Sequence, residues 1–142
     1  MSRNRSSHRV PRGGIDPIRC ADDALAVLAL AAPYGHDTIA MLLDEHRCGS
    51  SILIVTDTID PDAMFTVIDT CLAVAHEVDD VDGLILATSR PHGGVEPDDV
   101  HRWLEASDQC RASGLELIEW FVLGTTIRCP RGVFGEPARW TA

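Results

Sequence analysis

Short apolar runs alternate with longer amphipathic stretches along this chain, and this alternation limits the folds that it can adopt. The runs 38–43 and 51–56 flank a polar turn, a pattern typical of a β-hairpin. The later runs 84–87 and 115–123 each follow a stretch whose apolar residues recur at three- and four-residue steps, as on a helix with one buried face. We therefore expect an α/β fold in which helices flank a mixed β-sheet.

The signals for helix starts support the same order of elements. A first helix is predicted over 21–32, and Pro61 and Pro97 each stand where proline suits the first position of a helix. Residues 88–96 are predicted to form a loop that leaves the end of a strand, which is where a ligand or active site is expected. The chain from Pro130 onward is predicted to be irregular.

The length of 142 residues suits a single domain. The first 14 residues contain four arginines and no acidic residue, so 1–14 is predicted to be a disordered tail and 15–142 a folded domain. No apolar run approaches the roughly 18–20 residues of a membrane span, and no apolar segment follows the charged N-terminus as in a secretory signal. We therefore expect a cytoplasmic protein without membrane association.

The charge of the chain bears on its partners. The net charge is −10, and all 12 basic residues are arginine. Beyond residue 14, eight arginines stand against 22 acidic residues. A body this acidic repels phosphate backbones, so we do not expect it to bind nucleic acid.

The five cysteines lie far apart and form no C-x-x-C pair. Their number is odd, which favours reduced and mostly buried thiols over a set of disulfides or a cysteine zinc site. Cys48 differs from the others, because its place in the polar hairpin turn predicts a thiol at the surface.

The stretch 84–124 has a distinctive order of strand, loop, helix and strand. An apolar run leads into T-S-R-P-H-G at 88–93, P-D-D-V-H at 97–101 and G-L-E-L-I-E-W at 114–120. This order and spacing resemble the RadC-like branch of the JAB/MPN metallo-domains, over roughly residues 21–129. The resemblance implies a JAB/MPN architecture, which is cytidine-deaminase-like.

In that family, zinc is held by the motif H-x-H-x(7)-S-x(2)-D, and an upstream glutamate activates the metal-bound water. The motif positions here are held, in order, by Thr88, Arg90, Asp98 and His101, and the upstream glutamate aligns with His36. Threonine is a poor zinc ligand, and arginine cannot lose its proton to become one. We therefore expect Asp98 to form a salt bridge with Arg90 where the family holds its metal.

These changes predict a catalytically inactive RadC/JAB-like domain, that is, a pseudoenzyme that holds no cofactor. We expect it to act in protein association, either with a protein partner or as a homodimer. Two alternatives stay open. One is a metal-dependent hydrolase of the isopeptidase type with a rearranged zinc site, whose candidate ligands are His36, His92, His101 and Asp98. The other is a small anion-binding module that uses Arg90 and the adjacent glycines.

Overall fold

A computed structural model describes residues 9–31, 35–78 and 80–140. The elements follow one another as α1 (Ala21–Ala31), β1 (Thr38–Asp44), β2 (Gly49–Val55), α2 (Ala63–Glu77), β3 (Val81–Ser89), α3 (Asp99–Ala112), β4 (Glu116–Leu123), β5 (Ile127–Arg128) and α4 (Pro130–Phe134). The predicted α/β class is confirmed, since a single mixed sheet is flanked by helices. Within the described ranges, no helix combines the length and the apolar character needed to cross a membrane.

The five strands are ordered β2-β1-β3-β4-β5 across the sheet. β1 pairs antiparallel with both β2 and β3, which confirms the predicted hairpin. β3 and β4 run parallel and are joined by α3, whereas β5 returns antiparallel to β4. The carboxyl ends of β3 and β4 therefore lie side by side, next to the start of β1. The motif positions lie at this end of the sheet.

The central strands are buried on both faces, which explains their unbroken apolar sequences. On one face, Leu84 and Leu86 of β3 pack in a core shared with α2 and α3. On the other face, Ile85 and Ala87 pack in a second core shared with α1. The sheet is thus the middle layer of a three-layer domain.

A bulge in β4 changes which side chains face which core. Leu84 pairs with Leu117 and Ile85 pairs with Glu119, so Ile118 is an extra residue in the parallel ladder. After the bulge, Trp120 lies on the α3 side of the sheet. Its indole is thereby brought to β3 near the motif positions.

Three predicted boundaries are wrong. The helix predicted to open at Pro97 begins at Asp99. The second helix begins at Ala63 rather than at Pro61, because the carboxylate of Asp60 accepts the Asp62 backbone N–H at 2.9 Å and closes a turn before the helix. The third strand continues through Thr88 and Ser89, which were predicted to lie in a loop, because both residues pair with the end of β4. The first motif position therefore lies in the sheet.

Two local predictions near the chain's turns also fail. Residues from Pro130 to Phe134 form a short helix, which ends at Gly135 with a left-handed φ of 87°. Cys48 is buried rather than exposed, because Pro17 forms an isolated β-bridge with it and covers the turn. Residues 1–8 of the predicted tail lie outside the described residues, while Arg12 and Asp16 form an ion pair at 2.9 Å close to that turn.

The buried indole of Trp103 tests the α3 side of the core. We expect Trp103→Ala to lower the free energy of unfolding by about 3–5 kcal/mol, because the indole is fully buried between α3 and the sheet. The neighbouring Leu104 is exposed, so Leu104→Ala serves as the control and is expected to cost less than about 1 kcal/mol. Urea denaturation followed by circular dichroism measures both, and equal losses would contradict this packing.

Candidate functional site

The backbone at the end of β3 is held from both sides. The Ser89 N–H donates to the Asp37 carbonyl at 2.8 Å, and the Arg90 N–H donates to the Leu123 carbonyl at 2.9 Å. A turn follows at once, because the Gly93 N–H donates to the Arg90 carbonyl at 2.9 Å. These bonds fix the direction in which the Arg90 side chain leaves the strand.

Arg90 is 7% exposed, and both terminal nitrogens of its guanidinium donate to groups of the protein. Its Nη1 donates to Asp99 Oδ2 at 2.6 Å and to the Gly94 carbonyl at 2.9 Å, and its Nη2 donates to Asp99 Oδ1 at 3.1 Å. The guanidinium carbon also lies 5.8 Å from the centroid of the Trp120 ring. The two planar groups thus form a bidentate ion pair inside the protein.

Asp99 is fully buried and accepts hydrogen bonds from several donors. Besides Arg90, the Glu96 backbone N–H donates to it at 2.6 Å and Arg102 Nη1 donates at 2.8 Å. Burial is the largest single effect on its pKa and would raise it. The hydrogen bonds from Arg90, Glu96 and Arg102 and the charge of Arg90 together outweigh burial, so the pKa of Asp99 lies below its ordinary value.

The predicted salt bridge between Arg90 and Asp98 is wrong, because Asp99 takes that place. Asp98 is exposed and is the N-cap residue of α3, without a hydrogen bond from its side chain to the cap. Successive side chains at a helix start point about 100° apart, so two adjacent aspartates meet different surroundings, and one of them faces the sheet here. Asp99 is that residue. The sequence alone does not distinguish it from Asp98, because the two neighbours are both aspartates.

Arg102 extends the ion pair to the second helix. Its Nε donates to Asp62 Oδ1 at 3.0 Å, and its Nη1 also lies 3.4 Å from Glu96 Oε1. Asp62 is the N-cap residue of α2. The network therefore connects the end of β3, the start of α3 and the start of α2.

Thr88 and His36 have other roles than those that the motif implies. The buried Thr88 hydroxyl accepts the Trp120 indole N–H at 3.0 Å. His36 is exposed, and its backbone carbonyl accepts the Thr58 N–H at 2.6 Å and the Thr58 hydroxyl at 3.0 Å. The residue aligned with the family's glutamate thus contributes a carbonyl to a loop contact.

His92 and His101 are exposed. His92 lies in the turn after Arg90, and His101 lines an open cleft of about 400 Å³ between α2 and α3, which it shares with Asp62 and Asp98. Across the described parts of the chain, no three His, Cys, Asp or Glu side chains are placed to share one metal ion. His36, His92, His101 and Asp98, the ligands predicted for a rearranged zinc site, thus form no such group among the described residues.

A close approach between two glycine-containing segments completes the site. A Cβ added at Gly124 would lie 2.2 Å from the Gly93 carbonyl oxygen, so only glycine fits there. The Thr125 N–H donates to the same carbonyl at 3.1 Å. Gly124 was visible in the sequence only as the residue that ends a strand, and its contact with Gly93 required the fold.

A second surface cavity lies at the opposite end of the sheet. It has a volume of about 640 Å³, and the charged residues of its lining include Arg47, Asp82, Glu116, Glu136 and Arg139. Arg47 donates to Glu116 at 2.5 Å, and Arg139 forms an ion pair with Glu136 at 2.7 Å. Arg47 Nη1, however, is buried here without a hydrogen-bond partner among the described residues.

No family model matches the chain, and no curated protein matches it. Function must therefore be inferred from the side chains at the ends of β3 and β4 and at the start of α3. The decisive pair among them is Arg90 with Asp99.

Removing the charge of Asp99 tests the role of the ion pair. We expect Asp99→Asn to lower the free energy of unfolding by about 3–5 kcal/mol, because it leaves a buried guanidinium without its counter-charge. Asp98→Asn makes the same change at an exposed neighbour and is expected to stay within about 0.5 kcal/mol of wild type. Urea denaturation at neutral pH distinguishes them, and a mild effect at both positions would contradict the account.

The low pKa of Asp99 also predicts a dependence on pH. A carboxyl with a lowered pKa in the folded state stabilises the protein above its unfolded pKa, about 3.9, and this stabilisation is lost as the pH falls through the folded pKa. The difference in unfolding free energy between wild type and Asp99→Asn should therefore shrink as the pH falls below about 4. Denaturation curves from pH 7 to pH 2.5 measure it, and a constant difference would show that Asp99 is not the titrating group.

Proposed function

We propose that this chain is a catalytically inactive JAB/MPN-like domain that acts in protein association. The observation that carries the proposal is the buried Arg90–Asp99 pair at the second histidine position of the family motif. The order of elements supports the cytidine-deaminase-like architecture, since a hairpin, a helix and a strand lead into the motif loop before α3 and β4 follow.

The chemistry of the motif positions supports the absence of metal-dependent catalysis. A guanidinium keeps its positive charge at all physiological pH values, so a divalent ion within a few ångströms of Arg90 would be repelled. The Asp99 carboxylate is shared by two arginines, Arg90 and Arg102. The hydroxyl of Thr88 already accepts the Trp120 N–H. None of these groups supplies the neutral imidazole or free carboxylate that zinc prefers.

The anion-binding alternative draws little support from the same geometry. The donors of Arg90 face Asp99 and the Gly94 carbonyl, and the guanidinium is almost fully buried. An incoming anion would have to displace a carboxylate that is held by several hydrogen bonds. Glu96 and Asp98 add further negative charge at the same helix start.

We also propose a cytoplasmic location and partners other than nucleic acid. All five cysteines are free thiols, and three of them are buried, which suits a reducing compartment. The excess of acidic residues beyond residue 14 opposes contact with phosphate backbones.

Zinc binding distinguishes the inactive domain from a rearranged hydrolase. We expect the purified full-length chain to contain far less than one zinc per chain and to show no submicromolar binding when titrated against a chromophoric chelator, because Arg90 opposes a cation. His101→Ala is the matched variant, since His101 lines a cleft beside the carboxylates of Asp62, Asp98 and Glu105. Stoichiometric zinc that this variant loses would overturn the proposal in favour of the hydrolase.

A further inference from the structure

β2 lies at an edge of the sheet, but its sequence is that of an interior strand. From Ser51 to Val55 it pairs residue by residue with β1 and contains neither charge nor proline. Leu53 and Val55 pack against the core on the α2 side, whereas Ile52 and Ile54 are 45% and 52% exposed on the other face. Natural edge strands commonly carry charges, prolines or irregularities that prevent further pairing, and this part of β2 has none.

The exposed face of β2 continues into an apolar groove beside α1. The groove has a volume of about 370 Å³ and includes Val27 and Leu30 of α1 together with Met41 and Ile52. Leu30 is among the most exposed large apolar side chains that the structure describes. A strand added to β2 would cover the backbone edge, the two isoleucines and part of this groove together.

We propose that β2 is an interface at which a second copy of this chain adds antiparallel, so that one sheet continues across both copies. The inference rests on the association role proposed above and names its partner. Two copies with a net charge of −10 repel each other over most of their surfaces. The uncharged run from Ser51 to Thr56 is a place where they can approach without that cost. About a two-fold axis the same strand of each copy forms both sides of the interface.

The charges at the two ends of β2 favour this antiparallel arrangement. At the start of the strand, the Gly14 N–H donates to the Gly49 carbonyl at 3.0 Å. This segment carries Arg9 and Arg12, which stay exposed although both pair with Asp16, so two positive charges stand against one negative charge. Just beyond the other end stands the exposed Asp57, with acidic residues after it. Antiparallel pairing about a two-fold axis brings the start of one β2 beside the end of the other. The basic segment of each copy then faces the acidic segment of the second copy, a match that a parallel arrangement lacks.

The association state of the full-length chain tests the proposal. Sedimentation equilibrium should give twice the chain mass of 15.4 kDa at micromolar concentrations. Ile52→Lys with Ile54→Lys should raise the dimer dissociation constant by about 100-fold or more, because it places charge on the pairing face. Val133→Lys is the matched control, since Val133 is also 52% exposed but lies on α4 at the far side of the sheet, and it should remain dimeric.

A second pair of variants tests the charge match. Arg9→Glu should weaken the dimer by about tenfold, whereas Arg111→Glu should leave it unchanged, although both side chains are 72% exposed and both changes shift the net charge equally. Circular dichroism confirms folding, and Ile54→Thr replaces the double variant if that variant unfolds.

A monomeric wild type, a dimer that survives the β2 variants, or a dimer that Val133→Lys also disrupts would each overturn the proposal. Equal effects of Arg9→Glu and Arg111→Glu would overturn the antiparallel charge match. A failure of this kind differs from a failure of the proposed inactive domain, because zinc binding at the motif end is measured separately and does not depend on β2.

Discussion

The buried ion pair between Arg90 and Asp99 joins the end of a central strand to the start of the helix that covers it. Breaking such a pair is costly because the remaining charge is left without water or a partner, even where the intact pair adds little net stability. The pair is therefore better understood as a device that specifies geometry. It fixes the turn after β3 through the Gly94 carbonyl, sets the orientation of α3, and reaches α2 through Arg102.

The same pair decides what this end of the sheet can do. Carboxyl ends of parallel strands are common places for ligands and catalysis, because loops there can present side chains without disturbing the core. Here two polar side chains at the end of β3 already form hydrogen bonds within the protein. The Thr88 hydroxyl accepts the Trp120 indole N–H, and Arg90 donates to the Asp99 carboxylate and to the Gly94 carbonyl. Because these polar side chains are already hydrogen-bonded within the protein, this end of the sheet suits a scaffold for association better than a site for a metal or an anion.

The sequence predicted most of the fold because the strongest signals came from burial. The apolar runs of β1 and β3 and the periodic face of α2 identified central strands and a packed helix, and the mixed sheet followed. The failures arose where tertiary contacts decide. Asp98 and Asp99 are chemically identical neighbours, and only the direction of the helix start selects the inner one. Cys48 has the sequence context of a surface turn, and it is buried because a distant proline pairs with it.

The proposal places a fixed positive charge, that of Arg90, at the position where JAB/MPN domains hold zinc. Diffraction at the zinc absorption edge, from crystals grown with excess zinc at neutral pH, tests this claim most directly. The account predicts an intact Arg90–Asp99 pair and no anomalous peak within about 4 Å of either side chain, since the guanidinium repels a divalent ion at that range. An anomalous peak between Thr88, Arg90 and His101, with the ion pair broken, would contradict it.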